Sequence, residues 1–214
     1  GGFSAYSFAS HDFNLSGKGY MDDAILWNNM NAVQDKETYS AGTSYSKKTK
    51  TSVYARLNYN WKSRYYLTVT GRYDGASNFA ANNKWAFFPS AALKWNISNE
   101  NFLKDCNWID DLSLRLSAGL TGNDAISTYR SLATLSSTTG GYLFDGSQPV
   151  AFYRSRLDSP DLTWEKTTAY NVAIDWSMFK GRLNITAEAY KSKTTDLLMS
   201  LAVAAQTGYT SRWT

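Results

Sequence analysis

The chain has few of the side chains that perform nucleophilic or metal-centred chemistry. Its 214 residues include one histidine, His11, and one cysteine, Cys106. A Ser–His or Cys–His catalytic pair needs a histidine close to its nucleophile, and a structural zinc ion needs four ligands. His11 has only Asp12 and several serines near it, at chance spacing, and Cys106 lies beside Trp108 in a predicted connection. We therefore expect no enzymatic activity, no metal centre, no cofactor and no intrachain disulfide.

A carboxylate and several amides are concentrated in the stretch DGASNFAANN, residues 74–83. Asp, Asn and Ser oxygens are calcium ligands, but the D-x-[DN]-x-[DN]-G spacing of an EF-hand loop is absent. Asp74-Gly75 is instead typical turn chemistry, because glycine accepts positive φ and the Asp side chain bonds nearby amides. We interpret the stretch as a shaped hairpin loop, with a calcium loop as the weaker alternative.

The composition favours strands and gives no sign of nucleic-acid binding. Aromatic residues make up 15% of the chain, only three prolines interrupt it, and the net charge is +4. Tyr, Trp, Thr and Val favour β-structure. Lys and Arg are scattered along the sequence and form no basic stripe of the kind that contacts phosphates.

Six segments alternate well between apolar and polar residues, which predicts antiparallel strands. They are residues 52–61, 65–73, 85–97, 112–120, 170–178 and 183–189. Most are close to the ~9–11 residues that a tilted transmembrane strand needs, and longer than the ~5–6 typical of soluble strands.

The connections alternate between short and long, as they do in transmembrane barrels. Residues 62–64 and 179–181 form tight links, whereas 74–84 and 121–168 are long. Aromatic residues collect at both strand ends, which is typical of interfacial belts. The polar face carries charged residues that suit a wet lumen: Arg56, Arg72, Lys94, Arg115, Asp175 and Glu188. A soluble β-sandwich that binds glycans, with its polar face in water, stays open as the alternative.

Several motifs occur in a fixed order along residues 50–210. The stretch 54–98 contains ARLNY, a short basic turn, YLTVTGRYDGASNF and NNKWAFFPSAALKW; LRLSAGLTGN, SPDLTWE and YKSKTTDLL follow. This series resembles the barrel of SusC/RagA-type TonB-dependent outer-membrane transporters of Bacteroidetes. The matching residues, which we expect to have structural roles, are Arg56, Asn58, Arg72, Asp74, Gly75, Phe79, Trp85, Pro89, Trp95, Gly122, Asn123, Pro160, Trp164 and Glu165. The sequence departs from the family pattern at Ala76, Ala118 and Ser159.

The resemblance implies an all-β fold: an antiparallel transmembrane β-barrel segment of about six to seven strands of a larger barrel, with long extracellular loops. Residues 1–214 would belong to one barrel domain. Within it, 1–49 would be an extracellular loop region, 50–195 three strand hairpins with the loop 122–165, and 196–214 the start of the next loop. No plug domain is recognisable.

The same resemblance implies a function and partners. The whole protein would import oligosaccharides or peptides through the outer membrane, in contact with its lipid, with a SusD-like surface lipoprotein as lid and TonB as the source of energy. In the loop 122–165, Tyr129, Tyr142, Tyr153 and Trp164 are candidates for contact with ligand or lid. Alternatively, these aromatic residues pack the loop against itself, since a loop this long needs a small core.

Overall fold

A computed structural model describes residues 1–20, 28–103, 106, 108–138, 143 and 145–214 as an all-β structure. The strands in this part of the chain are β1 Gly2–Ser16, β2 Ser40–Trp61, β3 Tyr65–Ala76, β4 Trp85–Asn96, β5 Ile109–Asn123, β6 Thr134–Thr138, β7 Ala151–Arg156, β8 Glu165–Met178, β9 Leu183–Thr195, β10 Ser200–Ala202 and β11 Ser211–Trp213. The described helical elements are short 3-10 turns, none of which could cross a membrane.

Seven strands form one sheet in the order β1-β2-β3-β4-β5-β8-β9. The pairs from β2 to β9 are antiparallel, and their registers are continuous except for a shift between Ile109 and Asp111 in the β5-β8 pair. The hairpins β6-β7 and β10-β11 form two small sheets of their own. The all-β, antiparallel prediction is therefore confirmed. The chain divides into two compact units, one of Ser7–Lys48 and one of Gly1–Tyr6 with Thr49–Thr214.

In the larger unit, the sheet has one apolar face that remains exposed. Leu57 is 66% exposed, Phe87 57%, Val172 47% and Ile174 45%. A β-sandwich would bury such a face against a second sheet, but the other sheets among the described residues have only two strands each. The described part of the chain therefore does not have the arrangement of a β-sandwich.

Aromatic residues mark a boundary on the apolar face that crosses the strands obliquely. Tyr170 pairs with Ala118, Ala118 with Ala91, and Ala91 with Val69. Val69 on β3 is therefore in register with Tyr170 on β8, three strand pairs away. The aromatic residue that marks the boundary on β3 is Tyr73, four residues after Val69, so the boundary shifts by four residues across these three pairs. Strands ~4.8 Å apart and tilted ~45° would shift a flat boundary by ~1.4 residues per strand. The shift is thus the one expected of tilted barrel strands.

The two tight hairpins use left-handed backbone conformations. Lys62 and Ser63 both have φ 52°, and the Arg64 amide donates to the Trp61 carbonyl over 3.0 Å. Positive φ at both central residues matches the right-handed twist of the flanking strands. The second hairpin has φ 57° at Phe179 and 74° at Gly181.

A carboxylate ties the strand ends together beside the first tight turn. Glu100 accepts hydrogen bonds from Tyr65 Oη at 2.9 Å and Trp95 Nε1 at 3.2 Å, and Arg64 Nη1 lies 3.0 Å away. The bonds from Tyr65 and Trp95 lower the pKa of Glu100 below its ordinary value. The carboxylate is therefore held ionised at neutral pH.

Several strands extend beyond their predicted bounds. Residues 1–49, expected to be a loop region, contain β1 and the first part of β2, which begins at Ser40 and not at residue 52. In β1, aromatic residues fall on both faces, with Phe3 66% and Phe8 51% exposed, so no one-sided alternation marks it as a strand. β8 begins five residues earlier than predicted, at Glu165, and β9 continues to Thr195, because their ends are polar on both faces.

Candidate functional site

The loops after β3 and β5 are held over the strand ends by a small core. Trp164 is 1% exposed and contacts Phe79 at a ring-centroid distance of 4.9 Å and Phe88 at 5.4 Å. Leu162 and Ile126 belong to the same cluster. The Trp164 indole Nε1 also donates to the Lys84 carbonyl over 3.0 Å. This loop core joins residues that are distant in sequence and fixes the walls of the site above it.

A buried amide links the loop after β3 to the end of β5. Asn78 is 1% exposed, and its Nδ2 donates to the carbonyls of Ile126 at 3.0 Å and Asp124 at 3.3 Å. Lys50 Nζ lies 2.8 Å from Asp124 Oδ1. The stretch DGASNF therefore has a structural role in the loop, which its turn chemistry indicated.

The Asp74 carboxylate, the one charged group that suggested a calcium loop, has a protein partner. Asp74 accepts from Arg72 Nε at 2.7 Å, and Arg72 Nη2 donates to Ser52 Oγ at 3.0 Å. Within the described ranges, no group of three or more His, Cys, Asp or Glu side chains could hold a metal ion. Asp74 therefore forms an ion pair with Arg72 of the same strand, and Arg72 in turn bonds Ser52 on β2.

A cleft of about 600 Å³ opens between the loop after β3 and the loop between β5 and β8. Its polar lining groups come from Asn82 and Lys84 on one side and from Tyr129, Arg154 and Asp158 on the other. Ammonium, guanidinium, carboxylate and amide groups at one opening can bind a ligand rich in hydrogen-bonding groups, and the Tyr129 ring, 40% exposed, offers an apolar surface beside them.

Arg156 holds the turn that carries Tyr129. Its Nη2 donates to the Leu132 carbonyl at 3.2 Å and to the Tyr129 carbonyl. Burial lowers the pKa of Arg156, and the nearby positive charge of Arg130 lowers it further. Tyr129 itself has φ 61°, in the left-handed region. Arg156 is thus a positioning residue for this side of the cleft.

The four predicted ligand-contact residues do not form one site. Tyr129 lines the cleft, whereas Tyr153, 52% exposed on β7, is not among the lining residues. Trp164 is buried, so its burial corrects the prediction of ligand contact and favours the alternative that it packs the loop. Tyr142 lies outside the described residues. Lys84, Arg154 and Asp158 were not predicted, because scattered loop charges have no periodicity that would single them out.

Most of the motif residues make cross-strand contacts. Arg56 Nε donates to Thr70 Oγ1 at 3.2 Å, Asn58 Oδ1 accepts from Thr68 at 2.9 Å, and Asn123 Nδ2 donates to Glu165 Oε1 at 3.0 Å. The rings of Trp85 and Trp95 stack on Tyr73 and Tyr65, with centroids 5.1 and 6.1 Å apart. Gly75 and Gly122 leave room for the rings of Trp85 and Phe88, Pro89 pairs with Gly71 on β3, and Pro160 lines the cleft.

His11 and Cys106 show no catalytic arrangement. The His11 ring lies 4.5 Å from that of Tyr45, while Asp12 accepts hydrogen bonds from the hydroxyls of Ser10 and Ser44. Cys106 is a half-buried free thiol. The contacts of His11 and of Asp12 with Tyr45 and Ser44 are packing between β1 and β2.

A sheet with one exposed apolar face and one charged face is typical of the wall of a transmembrane β-barrel. Residues 2–213 match the family described as TonB dependent receptor-like, beta-barrel. The chain therefore belongs to the TonB-dependent receptor β-barrel family.

Curated relatives and solved structures agree with this assignment. The chain is 37% identical to TonB-dependent receptor P26 of Formosa agariphila over 91% of this chain and 19% of the relative. It is 38% identical to TonB-dependent receptor SusC of Bacteroides thetaiotaomicron over 80% of this chain and 17% of the relative. Structures of the RagAB peptide transporter superpose with a TM-score of 0.77 and 25% identity, covering 99% of this chain and 24% of theirs. The chain thus spans about a fifth of its curated relatives.

Proposed function

We propose that the chain is part of the barrel wall of an outer-membrane importer that takes up oligosaccharides or peptides. The observation that carries the proposal is the seven-stranded sheet, whose apolar face remains exposed while the other face carries ion pairs such as Arg115–Asp175 at 2.6 Å. Lipid would cover the apolar face, and the charged face would line an aqueous lumen. The similarity to SusC and to the RagAB transporter supports nutrient import.

In this proposal the strands cross the outer membrane and the long loops face the outside of the cell. The tight turns at 62–64 and 179–181 would then lie on the periplasmic side, as in other barrels. A SusD-like lipoprotein would act as the lid over the loops, and TonB would act through parts of the protein that lie outside this chain. The proposal includes no enzymatic step.

The whole polypeptide tests this function. We expect the native protein to be roughly five times longer than the matched segment, since that segment covers 19% of a relative, to require detergent for extraction, and to co-purify with a surface lipoprotein. A stable protein of 23.9 kDa that dissolves in plain buffer would contradict the proposal.

Within this proposal the loop cleft contacts the substrate or the lid. Tyr129 supplies a ring surface, and Lys84, Arg154 and Asp158 supply charged partners. Tyr129→Ala should weaken uptake or lid binding. Tyr153→Ala is the matched control, because Tyr153 is also exposed, at 52% against 40% for Tyr129, but lies outside the cleft lining. Equal effects of the two substitutions on uptake and on lid binding would contradict a role for the cleft.

A further inference from the structure

A shallow groove of about 300 Å³ runs across the apolar face of the sheet over β3, β4, β5 and β8. Its floor is formed by Ala91 and Ala118, which pair directly in register. Larger side chains stand around them, namely Leu93, Leu116, Tyr170 and Val172. The groove exists because two alanines are neighbours where the rest of the face carries bulky residues. It can accommodate part of one acyl chain.

Two lysines lie next to the groove on the same face. Tyr170, which lines the groove, pairs with Lys191 on β9, and Thr168 pairs with Lys193. Because side chains alternate along a strand, Lys191 and Lys193 lie on the same face of the sheet as Ala189. Ala189 pairs with Val172, which lines the groove, so this is the apolar face. Both lysines are exposed, and among the described residues neither ammonium forms an ion pair with a carboxylate.

The lysines lie at the edge of the apolar zone. Tyr170 marks the oblique aromatic boundary at the long-loop end of the strands, and Lys191 is level with it. Lys193 lies two residues further toward the loops, about 7 Å along the strand. A cation pair at this height faces the headgroup region, and the groove beside it faces the hydrocarbon.

We propose that this surface binds a phosphorylated lipid of the outer leaflet. One acyl chain lies in the groove floored by Ala91 and Ala118, and the lipid phosphate lies against Lys191 and Lys193. The two ammonium groups complement the anionic phosphate, and the apolar lining complements the chain. This inference rests on the proposed outer-membrane location.

The test is lipid binding by the full-length protein in detergent, measured by native mass spectrometry with phosphorylated lipid A as the probe. We expect Lys191→Gln/Lys193→Gln to weaken binding roughly thirtyfold, since each lysine near an anionic lipid surface contributes about fivefold. The matched control is Lys62→Gln/Lys180→Gln, which removes the same charge at the short-turn end and should change binding less than twofold.

A second variant tests the groove separately from the charge. Ala118→Phe fills the floor and should weaken binding of the same probe, while leaving both lysines in place. Lipid A without its phosphates should bind the wild-type protein and the lysine variant with equal affinity. Equal affinity of wild type and lysine variant for the phosphorylated probe, or unchanged binding by Ala118→Phe, would overturn the inference.

These outcomes are distinct from failure of the proposed function. A protein that dissolves without detergent would refute the outer-membrane location itself. A protein that requires detergent but binds the phosphorylated probe no better than the lysine variant does would refute only the lipid site.

Discussion

Trp164 offers the sharpest test of how the loops are held over the strand ends. Its indole is 1% exposed, packs between Phe79 and Phe88, and donates a hydrogen bond to the Lys84 carbonyl. Replacing a buried tryptophan by alanine costs ~3–5 kcal/mol through lost contacts and the cavity left behind. Loss of the indole N–H adds the cost of an unpaired carbonyl, ~1–3 kcal/mol where water cannot reach it.

We expect this cost to appear as local opening of the loops and not as unfolding of the sheet. The strand pairs β3-β4 and β5-β8 do not include Trp164. The loops around it are joined by backbone hydrogen bonds, from the Ala80 amide to the Leu162 carbonyl at 3.2 Å and from the Ser159 amide to the Ser131 carbonyl at 3.0 Å. A loss of ~3–5 kcal/mol corresponds to a few hundred- to a few thousand-fold faster exchange of such loop amides.

The assay is hydrogen–deuterium exchange with mass spectrometry on the full-length protein in detergent. Trp164→Ala should expose peptides covering 77–83 and 124–132 while peptides in β3 and β8 keep their protection. Trp85→Ala is the matched control, because Trp85 is 49% exposed and should leave both loops unchanged. Unchanged loop protection in Trp164→Ala would refute the account of the loop core.

Three further perturbations test other parts of the structure. Because hydrogen bonds lower the pKa of Glu100, the folded state gains stability above the ordinary pKa of 4.5 and loses it as pH falls through the lowered pKa. Glu100→Gln should therefore flatten the change in unfolding free energy between pH 6 and pH 3. An unchanged pH slope would contradict this. The Arg115–Asp175 pair is partly exposed, with side-chain exposures of 45% and 30%. A double-mutant cycle on the free energy of unfolding should therefore give a coupling energy of about 1 kcal/mol or less. A coupling energy above about 3 kcal/mol would contradict a water-exposed charged face. A Cβ at Gly75 would approach the Trp85 ring to 2.7 Å. Gly75→Ala should therefore lower the midpoint of thermal unfolding by the equivalent of ~1–3 kcal/mol. An unchanged midpoint would show that the Trp85 ring moves aside freely.

The sheet was predictable because its two faces differ in chemistry along the central strands. Alternation identified the parts of β2, β3, β4, β5, β8 and β9 on which only one face is apolar. It did not identify β1, where Phe3 and Phe8 fall on opposite faces. It also missed the small hairpins β6-β7 and β10-β11, whose strands are three to six residues long and too short for a period to stand out.

The cleft was predictable only in part. The sequence left two opposite roles open for the loop aromatics and could not assign them. Burial of Trp164 and exposure of Tyr129 depend on contacts with Phe79 and Arg156, which are distant along the chain. Lys84 and Asp158 reach the cleft through loop conformation. Such positions become recognisable only when the strands that carry the loops are paired.

The most direct test of the central claim is whether the two faces of the sheet meet lipid and water. Single cysteines would be placed in the full-length protein, in a Cys106→Ser background, at Leu57, Val69 and Ile174 on the apolar face and at Asn58, Thr70 and Asp175 on the polar face. After spin labelling in liposomes, the account predicts that the first three labels are accessible to oxygen in the lipid and the second three to a water-soluble relaxation agent. Equal access of the aqueous agent to both sets would contradict a barrel wall.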